Sequence, residues 1–202
     1  MRIIVISPES ADARELASME GFFGSGLERY HVRKPSWTLA ELEGWLLRLP
    51  RTWRPRIVLH QHHGLVPKLG LGGAHEKDTG APRGARYSRS CHDLRALRAC
   101  LGSYATVIFG PVFPSITKRG YGPAPDFPWE ELKEVLGSRN DASRTRVYAV
   151  GGVDGQGLGH CRDLGFDGAA VLGAVWNDSD PVRAFVSLHD KAQRLEAAPR
   201  AA

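Results

Sequence analysis

Cysteine is scarce in this chain. Cys91, Cys100 and Cys161 are the only three, widely spaced, and no C-x-x-C pair occurs. That excludes a disulfide framework and a zinc ribbon, and it fits reduced, partly buried thiols in a cytoplasmic protein. Long apolar runs are also missing. Ile3-Ile4-Val5-Ile6 near the N-terminus is far too short for a signal segment or a membrane span. Nor is there a basic run interleaved with aromatics. The cations are dispersed, as in Arg51, Arg54, Arg56 and again in Arg83, Arg86, Arg89. A nucleic-acid stripe is therefore not expected. Neither nucleic acid nor a membrane is expected as a partner, and a homo-oligomer is left open.

What is present is ordinary for a globular protein. Hydrophobic residues make up 42% of the 202 and charged residues 24%. The length suits one domain with a sizeable core, expected over residues 1–195 with a frayed tail at 196–202. The 23 glycines and 13 prolines imply many turns between short elements. A formal charge of +5, without a nucleic-acid stripe, favours an anionic metabolite.

Short apolar runs alternate with amphipathic stretches along the chain. Strands are predicted at 2–7, 27–33, 56–60, 73–76, 86–88, 104–109, 146–150 and 168–172. Helices are predicted between them, at 11–22 behind a Ser10 cap, 65–69, 92–101, 129–136, 156–164 and 180–195. Thr38-Leu-Ala-Glu41 has the form of a capping box and opens a helix to about Leu49. Eight such repeats predict an α/β fold, a single compact (β/α)8 barrel, over an open doubly wound sheet. Barrel sites lie at the C-terminal ends of the strands. That rule selects Arg33, His60 to His63, His75, Ser90, Gly110 to Lys118, Gly151, Gly152 and Gly173 as the rim.

Two features of that rim carry chemistry. After the sixth strand comes G-P-V-F-P-S-I-T-K-R-G-Y-G, Gly110 to Gly122. Ser115 and Thr117 offer hydroxyls, Lys118 and Arg119 offer charge, and Gly120 and Gly122 permit close backbone approach. Such a loop can grip a phosphate or pyrophosphate, or it can be a solvated turn. After the seventh and eighth strands come Gly151-Gly152 and Gly173. Glycines there let backbone N–H groups face a phosphate, or serve two tight turns.

The stretches R-Y-H-V-R-K-P, G-P-V-F-P-S-I-T-K, A-V-G-G-V and G-F-D-G-A-A-V-L-G-A-V resemble the thiamine-phosphate synthase and TenI superfamily. The resemblance runs from about Arg2 to Phe185, and the G-P-V-F-P-x-x-T-K segment is its most specific part. It implies thiamine biosynthesis. A hydroxymethylpyrimidine group leaves its pyrophosphate as a cation, a thiazole phosphate traps that cation, and pyrophosphate is released. The protein's task in such a reaction is positioning and electrostatic stabilisation.

The resemblance assigns roles to residues of this chain. Arg33 would face pyrophosphate, and Ser115, Thr117 and Lys118 would grip it. Ser90 and His92 would sit beside the pyrimidine, Gly151, Gly152 and Gly173 would cradle the thiazole phosphate, and His75 ends the fourth strand. The expected catalytic set is Arg33, Lys118, His60 and Ser90. His31, Gln61, His75, His92, Ser115, Thr117, Gly151, Gly152 and Gly173 are expected to bind phosphorylated small-molecule substrates.

Departures from the family pattern are specific. The family's glutamine is His31 here and its second lysine is Pro35, while Lys34 points the other way if the strand is regular. Where the family has Asn-Asp, with the Asp holding Mg²⁺, this chain has His60-Gln61. Glu76 or Asp78 could stand for a second metal carboxylate, so Mg²⁺ is implied but with a weakened ligand set. His60, His62, His63 and His75 invite a transition-metal reading. No ligand set closes from sequence alone. His60 and His75 read instead as pocket hydrogen-bonders, with His62 and His63 facing solvent. Two alternatives to the synthase stay open: a TenI-like thiazole tautomerase, and a non-catalytic barrel that binds thiazole or thiamine phosphate. Pro111 counts against the tautomerase, because it stands where that branch has its catalytic histidine.

Overall fold

The structure, a computed structural model, describes residues 1–79, 87–116, 120–139 and 145–198. Eight parallel strands close a barrel in sequence order. They are β1 (Arg2–Ile6), β2 (Arg29–Val32), β3 (Ile57–Leu59), β4 (Gly73–Glu76), β5 (Tyr87–Cys91), β6 (Thr106–Phe109), β7 (Arg146–Val150) and β8 (Gly168–Val171). Closure comes from β1 pairing with both β2 and β8. The helices are α1 (Glu15–Gly24), α2 (Leu39–Leu47), α3 (Leu65–Leu69), α4 (Leu94–Cys100), α5 (Trp129–Gly137), α6 (Gly157–Asp163), α7 (Gly173–Trp176) and α8 (Pro181–Ala197). Among the described residues no helix is long and apolar enough to cross a membrane.

Strand alternation divides the apolar residues between two layers. Ile3 and Val5 join the large core between strands and helices, with Phe22, Leu46, Phe109 and Phe185. Ile4 and Ile6, one residue out of phase, join Ile108, Tyr148 and Ala170 in a separate cluster. This is the bore of the barrel, filled by the inward side chains of β1, β6, β7 and β8. The other half of the bore is polar. His31, His75 and Ser88 point into it from β2, β4 and β5 and are buried.

Local chemistry explains several boundaries. Thr38 caps α2 and Glu41 reaches back to the Thr38 backbone, completing the predicted box. Asp93 caps α4, and Asp180 caps α8 with Pro181 in its first turn. The expected Ser10 cap is displaced, because α1 begins at Glu15. The Ser10 carbonyl instead accepts a hydrogen bond of 2.9 Å from the Lys34 ammonium. Two elements escaped the pattern: a 3-10 helix at Arg51–Arg56, which includes Pro55, and the four-residue α7. Neither is long enough to show a helical repeat. The fifth strand extends beyond its expected end, to Cys91.

Candidate active site at the barrel mouth

A cavity of about 250 Å³ opens at the C-terminal end of the barrel. Its lining brings together Arg33, His92, Ser115, Gly151, Gly152 and Gly173, which come from five separate segments of the chain. Ile6 and Ala170 form its apolar floor.

Arg33 follows β2 directly. Its backbone N–H donates to Ser7 Oγ at 2.9 Å, and Ser7 Oγ donates to the Arg33 carbonyl at 3.1 Å. This exchange pins β2 to the end of β1, so the guanidinium leaves the strand at the mouth. There it pairs with Glu9. Both side chains are more than one-third exposed, so the pair contributes little to stability and can open to a ligand. His92 is held by its Nδ1, which donates to the Gly110 carbonyl at 2.5 Å. Its other nitrogen lies 4.0 Å from Asp78.

The loop after β6 lies across the end of β7. Val112 N–H donates to the Val150 carbonyl and Phe113 N–H to the Gly151 carbonyl, at 2.9 and 3.0 Å. The peptide between Gly110 and Pro111 is cis. Glycine is obligatory beneath this loop. Gly152 has φ +65°, and a Cβ there would meet the Pro114 carbonyl oxygen at 2.1 Å. Gly151, at φ +90°, faces Pro111 in the same way. So the Gly-Gly turn answers first to the packing of the neighbouring loop. Ser115 is fixed by its N–H, which donates to the Tyr121 carbonyl at 2.7 Å. Thr117 and Lys118, the expected anion grip, lie outside the described residues.

Below the mouth, on the polar side of the bore, three imidazoles converge. His31 Nδ1 lies 3.0 Å from His60 Nε2. The rings of His60 and His75 stack with centroids 4.1 Å apart. His75 sits between two hydroxyls, Nδ1 at 2.8 Å from Ser88 Oγ and Nε2 at 2.8 Å from Ser90 Oγ. His31 and His75 are 1% and 3% exposed, and His60 is partly open. Burial holds all three basicities down: His31 and His60 fall well below the ordinary imidazole value, and the pKa of His75 falls to about 3. Mutual repulsion adds to burial: His75 acts on His31 and His60, and His63 and Arg33 act on His60 and His75. The rings are neutral at pH 7.

The sequence predicts His60 and His75 as pocket hydrogen-bonders; in the structure they meet His31 inside the bore, and none of the three lines the mouth cavity. The sequence also predicts that His62 and His63 face solvent. Both are half-buried, and His62 Nε2 lies 3.1 Å from the Trp37 carbonyl. The part of His31 in the trio was missed, because it lies 29 residues from His60 and makes no local motif. Its inward phase on β2, two residues before Arg33, was the available signal.

Lys34 turns outward. It is fully buried behind the barrel, where its ammonium donates to Glu15 Oε2 at 2.6 Å and to the Pro8 carbonyl at 2.7 Å. Tyr30 donates to the other Glu15 oxygen at 2.7 Å. Desolvation outweighs these partners and raises the Glu15 pKa.

Of the groups expected to hold Mg²⁺, only Asp78 lies near the mouth. The Gln61 amide donates to the Lys34 carbonyl at 2.5 Å. Glu76 is directed out of the bore, where it accepts a 2.8 Å hydrogen bond from Tyr104 and lies 3.5 Å from Arg89. Asp78 is exposed beside His92. Imidazole nitrogens occupy the bore where a hard cation needs carboxylate oxygens, so these residues do not fit a protein-held Mg²⁺.

A closed parallel barrel with its polar residues gathered at one end is of the (β/α)8 enzyme class. No family model matches the chain. A thiamine-phosphate synthase of Halorhodospira halophila is 30% identical over 165 residues, which span 76% of each chain. A thiamine-phosphate synthase of Methylobacillus flagellatus is 26% identical over 88% of each chain. Among solved structures, thiamine phosphate pyrophosphorylase from Bacteroides thetaiotaomicron superposes with a TM-score of 0.75 at 27% identity, covering 98% of this chain and 100% of that one. The chain belongs to the thiamine-phosphate synthase family.

Proposed function

We propose that this protein is an enzyme of thiamine biosynthesis. It transfers a hydroxymethylpyrimidine group from its pyrophosphate to a thiazole phosphate and releases pyrophosphate. The observation that carries this reading is the mouth cavity. It gathers Arg33, Ser115 and the Gly151-Gly152 and Gly173 turns around one space open to solvent.

The reaction asks for charge where pyrophosphate develops and for a dry floor under two aromatic rings. Arg33 supplies the charge from the exposed side. Gly151, Gly152 and Gly173 bring backbone N–H groups toward the thiazole phosphate. Ile6 and Ala170 form the apolar surface on which the rings lie. His92 and Ser90 flank the pyrimidine.

Purified protein mixed with both substrates and Mg²⁺ is expected to form thiamine phosphate and pyrophosphate. Absence of product from folded protein, beside an active control enzyme, would refute the transfer. A second reading is favoured by the missing carboxylates: a barrel that binds thiazole or thiamine phosphate without turning it over. Calorimetric binding of either phosphate with no transfer and no thiazole isomerisation would decide for it.

A further inference from the structure

We propose that His31, His60 and His75 form a site for a divalent transition metal of the zinc class, inside the polar half of the barrel bore. One nitrogen from each of the three rings lies within 4.8 Å of the others. A tetrahedral zinc with bonds of about 2.0–2.1 Å sets its nitrogens about 3.4 Å apart. The His31–His60 separation of 3.0 Å must open by about 0.4 Å to reach that value, and the third ring, whose nitrogen lies within 4.8 Å, must approach.

Two further features support metal chemistry. The ligands are uniform in type, and neutral imidazole is the ligand that zinc, nickel, cobalt and copper prefer over magnesium. His75 also carries its own orienting shell, since Ser88 and Ser90 hold its two nitrogens. One of those hydrogen bonds gives way to the metal, and the other fixes the plane of the ring. Three protein ligands leave a fourth position for water or a substrate oxygen. His60 follows β3 and is the least buried of the trio, so it marks the side facing the mouth.

The alternative is a hydrogen-bonded imidazole cluster that never meets a metal. The two separate cleanly, because metal binding reads out without substrate or turnover. Whatever the outcome of the transfer assay, this experiment stands alone. Chelator-treated protein is dialysed against Co²⁺ and, separately, Zn²⁺, then analysed for metal content and visible absorption. The expected result is one Co²⁺ per chain with the intense visible bands of a nitrogen-ligated, four- or five-coordinate ion, displaced by Zn²⁺ and not by excess Mg²⁺.

His31→Gln and His60→Asn, which restore the family's side chains, are each expected to weaken binding by more than about 100-fold. His62→Asn and His160→Asn are expected to leave it unchanged. Stoichiometric binding that survives the His31→Gln/His60→Asn double variant would place the metal elsewhere and overturn the proposal. If a variant fails to fold, the wild-type spectrum decides. Substoichiometric Co²⁺, or a spectrum of six-coordinate oxygen ligation, also overturns it.

Discussion

The two halves of the barrel bore are built from opposite materials. Strands β6, β7, β8 and β1 fill their half with Ile108, Tyr148, Ala170, Ile4 and Ile6. Strands β2 to β5 fill theirs with His31, His60, His75, Ser88 and Ser90. The apolar half is held by burial and dispersion. The polar half is held by directed contacts at 2.8–3.0 Å, each of which must be matched. At the mouth the same division recurs. The β6–β8 side is shaped by backbone and glycine, while the β2–β5 side is shaped by side chains. Backbone-built surfaces survive sequence change, because any sequence with glycine at the close approaches reproduces them. Side-chain-built surfaces change with single substitutions.

The largest effect is expected behind the polar half, at Lys34. Lys34→Met leaves Glu15 buried without its cation and should cost about 3–5 kcal/mol. Urea unfolding measures it, and Lys34→Met with Glu15→Leu should recover most of the loss. If the single variant is as stable as wild type, the buried pair does not anchor β2. In the apolar half, Ile108→Ala opens a cavity and should cost about 2–5 kcal/mol by the same measurement. Ser88→Ala removes one partner of His75 and should cost only about 1–3 kcal/mol. A Ser88→Ala penalty larger than that of Ile108→Ala would invert the comparison, making the polar half the stronger.

Arg33→Gln should change stability by less than about 0.5 kcal/mol, because its partner Glu9 is exposed. It should still weaken pyrophosphate binding at least about tenfold, read by calorimetry. Unaltered affinity would remove Arg33 from the anion site.

Much of the architecture was readable in the chain. The box at Thr38 and Glu41, the strand Arg146–Val150 and the short helix Leu65–Leu69 appear where their residues put them. Each rests on a local signal, a cap or a bounded apolar run. Boundaries slipped where a distant group intervened. Ser10 has the residue type of a cap, but α1 starts at Glu15, and the Ser10 carbonyl accepts from Lys34. The role of Glu76 was hidden for a similar reason. Beside His75 it resembles a metal ligand, yet period-two alternation turns it out of the bore toward Tyr104 and Arg89.

The sequence by itself determined the eight-fold alternation, the rim positions and the family resemblance. These follow from periodicity, turn residues and short motifs, all of which act within a few residues. Only the tertiary structure decided that His31, His60 and His75 meet, that Gln61 is tied to the Lys34 carbonyl, and that Gly152 lies under Pro114. Those facts depend on how the strands stagger as the barrel closes, and the stagger is set by the whole ring of pairings at once.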